Sequence, residues 1–414
     1  QGNLGIDPEL TAVGCNGDQV EPADASWIDL PPGGELLLLP GRLPLGYSQK
    51  SGEIEVVEAV NGKEVIAVAA ILPVGLTRCL LPGYEIKTKQ ELPLYGYTAV
   101  GSQNGRLKVA ALETDAALKW NPVYYNTRDL PQLVARKQKL FPKNRILRQL
   151  AKCALDYHCL TAQNIFYLRW EAGIPVSPGC NADCLGCISK QPAECCPAPQ
   201  NRIQFIPTEQ EVVELAAPHL IEAPEAIISF GQGCEGEPSL QRELLRRSIQ
   251  TIRRQTGAGT INMNTNAGDS EAIMDLTGAG LDSIRVSLFS AIPENYNWYH
   301  RPQGYQLADV KKSLKKATAS GVMGAVNLLL FPGFTNQLVE TEALVEFIAE
   351  TGVKQLQLRN LNLDPEKLRE KINGRGDGRK GDSRIALTPI SEWILNLKNR
   401  FPELLIGNYS RPKN

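Results

Sequence analysis

From Phe166 onward the chain alternates short apolar runs with longer amphipathic ones. YLRWEAGIPV, AIISF (226–230), TINMNT (260–265), SIRVSL (283–288), GAVNLLLF (324–331) and KQLQLRNLN (354–362) have strand length and strand composition. Between them, EQEVVELAAPHL, SLQRELLRRSIQTIRRQ, EAIMDLTGAG, DVKKSLKKATASG and ETEALVEFIAETG read as helices. Strand–helix repetition at this spacing builds parallel βαβ units. Six such units predict an α/β fold over residues 166–365, an open partial (β/α)6 barrel with chemistry at the C-terminal ends of its strands. Strands in a parallel sheet are normally apolar. Asn262, Asn264, Arg285 and Ser287 break that rule at period two, on common faces, so their polarity needs a purpose; some can simply satisfy one another.

The flanking segments read differently. Over residues 1–130, runs such as ELLLLP, IEVVEAV, EVIAVAAILPV and RLKVAALE alternate with PPGG and LPGY turns, which predicts a β-rich N-terminal domain of unassigned role. Residues 131–165 read as helical and carry Arg136, Lys137, Lys139, Lys143, Arg145, Arg148 and Lys152. A solvated helix face explains that run first; a surface for an acidic partner is the sharper alternative. In 366–414, REKINGRGDGRKGDSR (369–384) predicts a mobile Gly-rich basic loop, with Gly374, Gly376, Gly378 and Gly381, before a final helix, ISEWILNLKNRF.

Composition narrows the class. With 43% hydrophobic and 21% charged residues among 414, the chain has ample core material, and its net charge of −1 argues against a generalised polyanion binder. LLLLPGRLPLG is broken by Pro40 and Gly41, so no membrane span is expected, and QGNLGIDPEL lacks the layout of a secretory leader. Ten cysteines, all at or before Cys234, point to metal or redox chemistry rather than a disulfide framework, with a reducing cytoplasm the expected compartment.

Three of those thiols, Cys180, Cys184 and Cys187, lie in GCNADCLGC directly after the first predicted strand. A closed zinc site takes four ligands, commonly as two CxxC pairs. A single run of three suits three irons of a [4Fe–4S] cube with the fourth iron open, although a zinc site completed by a distant Cys or His, or reduced structural thiols, also fits the spacing.

Cx3Cx2C at this place in a βα repeat resembles the radical S-adenosylmethionine (radical SAM) superfamily, and the resemblance runs over about residues 166–362. After the second strand, Glu235-Gly236-Glu237-Pro238 is similar to the family's GGEP turn, which implies that Gly236 and Glu237 engage the methionine amino group. MNTNA resembles the TNG segment and places Asn264 and Asn266 towards the cofactor. DSIRVSLFSA resembles the strand whose serine, here Ser287, contacts ribose or carboxylate. Asn327, Arg359 and Asn362 fall on the fifth and sixth strands; His300 and Arg301 of HRP are expected anion or substrate contacts, with Arg301 assigned to the cofactor. The residue before the third cysteine, often aromatic in the family, is Gly186, so adenine must pack elsewhere, on Ile188 or a neighbouring strand.

The resemblance implies a [4Fe–4S] cluster, S-adenosylmethionine, oxygen sensitivity and an external one-electron donor of flavodoxin or ferredoxin type. It implies reductive cleavage to a 5′-deoxyadenosyl radical that abstracts hydrogen from an unidentified substrate. A peptide or protein leads as the substrate class, with RNA or a small molecule as alternatives. A non-catalytic iron–sulfur electron-transfer protein would leave the EGEP turn and the polar strands without a role. Cys153, Cys159, Cys195, Cys196 and Cys234 are not expected to hold a second cluster, since adjacent cysteines seldom present both sulfurs to one cubane face.

Overall fold

The computed structural model describes residues 4–116, 119–190, 201–360, 363–374 and 386–413. Cys195, Cys196 and Asn362 lie outside these residues, as do Gly376, Gly378 and Gly381 of the basic loop.

Seven parallel strands form one open sheet in chain order: Glu171–Gly173, Ile227–Phe230, Thr260–Thr265, Ser283–Leu288, Met323–Leu329, Gln355–Arg359 and Leu405–Gly407. Five helices pack outside it: Glu209–Glu222, Arg242–Gln255, Ser270–Ala279, Leu307–Ala319 and Leu338–Thr351. Their ends are chemically marked. Thr208 and Glu211 form a capping box, Asp269 accepts from the Glu271 and Ala272 amides, and Gly280 closes its helix at φ 111°. Each such cap stabilises its helix by about 1 kcal/mol.

The pleat sorts the side chains. Ile228, Phe230, Ile261, Met263, Ile284, Val286, Val326, Leu328, Leu356, Leu358 and Ile406 join one core with the helices. Their alternates, Ser229, Asn262, Asn264, Ser283, Arg285, Ser287, Asn327, Gln357 and Arg359, therefore face the concave side. This outside-apolar, inside-polar arrangement is the purpose that the period-two polar residues required.

Two boundaries differ from the sequence reading. Tyr167 closes a helix, Leu160–Tyr167, and Leu168 turns left-handed at φ 53°, so the first strand is confined to Glu171–Gly173. A seventh strand, Leu405–Gly407, adds to the sheet beyond the six expected. The helical segment otherwise appears as Leu130–Leu140 and Arg145–Leu155, and the last helix as Ile390–Arg400.

The N-terminal region is β-rich and antiparallel; its largest sheet runs Leu81–Pro82, Leu10–Asn16, Arg42–Ser48, Tyr84–Ile86, with Gln19–Pro22 and Ile54–Val56 paired at the side. It docks on the loops that follow barrel strands four to six. Cys15 and Leu81 pack with Phe289, Phe331 and Phe334, and buried Arg42 pairs with Asp364 at 2.6 Å. Arg78, fully buried, donates to the carbonyls of Tyr97 at 3.0 Å and Leu330 at 2.6 Å. At Gly333 (φ +87°) an added Cβ would overlap the backbone of Gly17, so both glycines permit the contact. The β-rich region thus roofs part of the barrel mouth. No helix among the described residues is long and apolar enough to cross a membrane.

Candidate active site

All seven strands are parallel, so the loops after strands one, two and three emerge at one end of the barrel. They are knitted together there. Gly236 donates its amide to the Ser177 carbonyl at 2.7 Å, and Glu237 donates to Gly179 at 2.8 Å, joining the EGEP turn to the start of the cysteine loop. A Cβ at position 236 would overlap the Gly179 carbonyl oxygen, so this approach requires glycine.

Two buried carboxylates organise the turn. Glu235 accepts from the amides of Val176 (2.7 Å), Ser177 (3.0 Å), Gln232 (3.3 Å) and Gly231. Burial pushes its carboxyl up to about 8, against four backbone donors that favour the ionised form. Glu237 accepts from the Ser239 amide (3.0 Å), the Thr265 hydroxyl (2.6 Å) and the Asn266 amide (2.7 Å). Burial raises its carboxyl too, while these three donors hold it down. The carboxylate expected to meet an ammonium therefore also ties the second strand's turn to the end of the third. Asn266 continues the bridge, donating from Nδ2 to Asn181 Oδ1 of the cysteine loop at 2.6 Å. Asn264 accepts from Asn262 Nδ2 at 3.3 Å and borders the mouth.

On its other side the cysteine loop leans on a helix that sequence periodicity did not reveal, Pro293–His300. Asp183 donates its amide to the His300 carbonyl, Leu185 donates to Tyr299, and the Gln303 amide donates to Asn181. His300 is buried; its Nε2 accepts from the Phe289 amide at 3.1 Å, which leaves Nδ1–H facing Cys184 Sγ at 3.4 Å. Tyr299, stacked on Phe289 with ring centroids 4.2 Å apart, fills the space where a side chain on residue 186 would stand. Gly186 and Tyr299 are thus one packing decision. Arg301 is half-exposed at the helix end, 3.9 Å from Asp183, on the outer side of the cysteine loop.

Cys180, Cys184 and Cys187 are all partly accessible. Burial raises the thiols of Cys180 and Cys184, and charge on the neighbouring sulfurs raises them further. Serving as thiolate ligands, the three would need a cationic group to balance their charge. No three Cys, His, Asp or Glu side chains among the described residues converge on a point that would hold a single metal ion. A cubane binds each thiolate through a different iron, so its ligands need not converge on one point. Arg202, absent from the sequence reading, donates to Cys187 Sγ at 3.6 Å and to Ser189 Oγ at 3.1 Å.

Below this rim the barrel interior is closed by a charged network. Glu171 accepts from Ser229 Oγ (2.6 Å), Gln232 Nε2 (3.0 Å), Arg285 Nη2 (2.8 Å) and Ser410 Oγ. Asn262 bonds Ser229 and Ser283. Arg285 and Asn262 thus belong to the floor, while Ser287, Asn327 and Arg359 lie nearer the opening and keep solvent access. Cys153 and Cys234 have their side chains buried in the main core, Cys234 directly before the EGEP turn, with Cys159 packed against that core.

The basic run is partly spent inside the fold. Arg145 forks onto Glu211 at 2.8 and 2.7 Å, Lys137 donates to the Ile165 carbonyl, and Lys152 lies over the Tyr157 ring.

Residues 174–348 match the family model of the Radical SAM superfamily. A curated relative, the mitochondrial GTP 3',8-cyclase of Arabidopsis thaliana, is 23% identical over 240 residues, 58% of this chain and 53% of that protein, so the chain spans about half the length of the relative it matches. Among solved structures, Streptococcus suis SuiB bound to precursor peptide SuiA shares 13% identity at a TM-score of 0.40, covering 73% of this chain and 67% of that one. Methylornithine synthase shares 14% at 0.40, covering 68% and 75%.

Proposed function

Since the chain belongs to the radical SAM superfamily, we propose that it is an enzyme in which Cys180, Cys184 and Cys187 hold a [4Fe–4S] cluster beside bound S-adenosylmethionine. Together these groups supply, when bound, a 5′-deoxyadenosyl radical that takes hydrogen from substrate. The observation that carries the proposal is the backbone union of the cysteine loop with the EGEP turn, through Gly236–Ser177 and Glu237–Gly179. It brings three soft ligands and a buried carboxylate to one rim. Glu237 offers charge to an ammonium and fixes Thr265 and Asn266 at the same time. His300 Nδ1–H donates to the Cys184 sulfur, which restrains that ligand and draws charge from it. The floor built on Glu171 and Arg285 excludes water from beneath the reacting centre.

The partial roof formed by the β-rich region suits a substrate that enters from the side of the mouth, with a peptide or protein as the leading class. The RNA alternative loses support because Arg145, Lys137 and Lys152 have internal partners. An external one-electron donor completes the scheme.

Anaerobic reconstitution tests cluster placement. Wild type should take up about four irons per chain, and the triple variant Cys180→Ala/Cys184→Ala/Cys187→Ala should take up almost none. A triple variant that keeps half its iron would place a cluster on other thiols and remove this assignment.

A further inference from the structure

Arg359 closes the sixth strand on the concave side of the sheet, and among the described residues it is the one guanidinium there without a salt-bridge partner. Arg285 is paired with Glu171 at 2.8 Å, and Arg411 is paired with Asp115. Those two carboxylates are engaged elsewhere: Glu171 accepts four side-chain donors, and Asp115 also accepts the Asn408 and Tyr409 amides. Arg359 instead donates Nε–H to Asn327 Oδ1 at 3.1 Å, Nη1–H to the Asn408 carbonyl at 3.2 Å and Nη2–H to Gln357 Oε1. All three acceptors are neutral. They fix the plane of the guanidinium and use three of its five donors, and none of them carries a charge. Burial, with Arg285 close by, pulls Arg359 down to about 10 against the partial support of Glu171 and Asp115, so it remains a cation at neutral pH.

A fixed, half-buried guanidinium with no salt-bridge partner is costly unless an anion comes to it. We propose that Arg359, oriented by Asn327, is the receptor for an oxyanion, a carboxylate or phosphate, on the substrate. This rests on the radical SAM reading and deepens it by naming the substrate's chemistry. The anion meant is the substrate's rather than the cofactor's own carboxylate. The EGEP turn and Asn266 place the methionine end beside strands two and three, and its carboxylate shares a carbon with the ammonium. Arg359 stands three strands further along the sheet, and its hydrogen-bond partners are Asn327, Gln357 and Asn408 rather than the EGEP turn or the cysteine loop. A substrate whose anionic end is held at Arg359 would point its reacting carbon back towards the cysteine loop. Planar bidentate recognition is what arginine, rather than lysine, supplies at such a place.

The test uses the full chain and two probes, inorganic phosphate and malonate, each titrated against chloride of matched ionic strength while the melting temperature is followed. At least one probe should raise the wild-type melting temperature saturably, and the one that does identifies phosphate or carboxylate as the group bound. In Arg359→Gln the half-saturating concentration should rise on the order of 10- to 100-fold, with Arg359→Lys in between. If neither probe exceeds chloride, or Arg359→Gln responds like wild type, the receptor does not exist. An equal loss of S-adenosylmethionine affinity in reconstituted Arg359→Gln would assign the guanidinium to the cofactor and overturn the proposal. Failure of the radical reading is separate: it shows as missing deoxyadenosine from wild type, whatever the anion titration gives.

Discussion

Replacing Glu171 by Gln probes the barrel floor with little change of volume. The amide can still accept from Ser229, but the charge opposite Arg285 disappears in a site where both side chains are almost wholly buried. Burial alone would push this carboxyl up. The Arg285 guanidinium and the hydroxyls of Ser229 and Ser410 overcome it and hold the group at about 2, against an ordinary value of 4.5. A carboxyl lowered on folding stabilises the native state above its unfolded value and loses that contribution as pH falls through its folded one. The fall from 4.5 to about 2 is worth roughly 3 kcal/mol at neutral pH. Leaving Arg285 buried without its partner gives a similar cost by a separate route, about 3–5 kcal/mol. Urea unfolding of wild type and Glu171→Gln, followed by circular dichroism, should differ by that amount at pH 7. The difference should shrink steadily between pH 4.5 and pH 2.5, where the unfolded chain takes up a proton at Glu171 that the native state does not. A variant as stable as wild type at pH 7, or a gap that is constant down to pH 2.5, would refute the floor as a charge-paired element.

Three further substitutions address the rim and the roof. Glu237→Ala should keep its cluster but bind S-adenosylmethionine about 10- to 100-fold more weakly by calorimetry, since a charge-assisted acceptor is lost; unchanged affinity would show that Glu237 serves the turn alone. Gly186→Ala should lower cluster loading because its Cβ overlaps the Tyr299 hydroxyl. Adding Tyr299→Phe should restore loading, and a double variant no better than the single one would contradict the packing argument. Gly333→Ala, at φ +87° against the Gly17 backbone, should cost about 1–3 kcal/mol and speed proteolytic cleavage within the first 116 residues; an unchanged digestion pattern would mean that the roof does not depend on that contact.

The barrel was legible because parallel strands packed under helices leave a coarse signature. TINMNT and SIRVSL coincide with strands Thr260–Thr265 and Ser283–Leu288, and polar residues at every second place marked the concave face. The cysteine loop and EGEP turn were legible because their spacing is local. What escaped depends on partners distant in sequence. Leu405–Gly407 is three residues long and is a strand only because Gln355–Gln357 offers it an edge. Pro293–His300 reads PENYNWYH, with no apolar stripe, because its buried residues meet the cysteine loop, the aromatic stack and the barrel rather than one smooth core face. The pairing of Glu171 with Arg285 spans 114 positions, and no local pattern announces it. Arg145 looked like a surface charge until Glu211, on another helix, turned out to hold it.

The measurement nearest the central claim is the yield of 5′-deoxyadenosine and methionine when the anaerobically reconstituted, dithionite-reduced full chain is given S-adenosylmethionine. Wild type should produce both in equal amounts, and the Cys180→Ala/Cys184→Ala/Cys187→Ala variant neither. A fully iron-loaded wild type that yields no deoxyadenosine would contradict the assignment and leave an electron-transfer protein in its place.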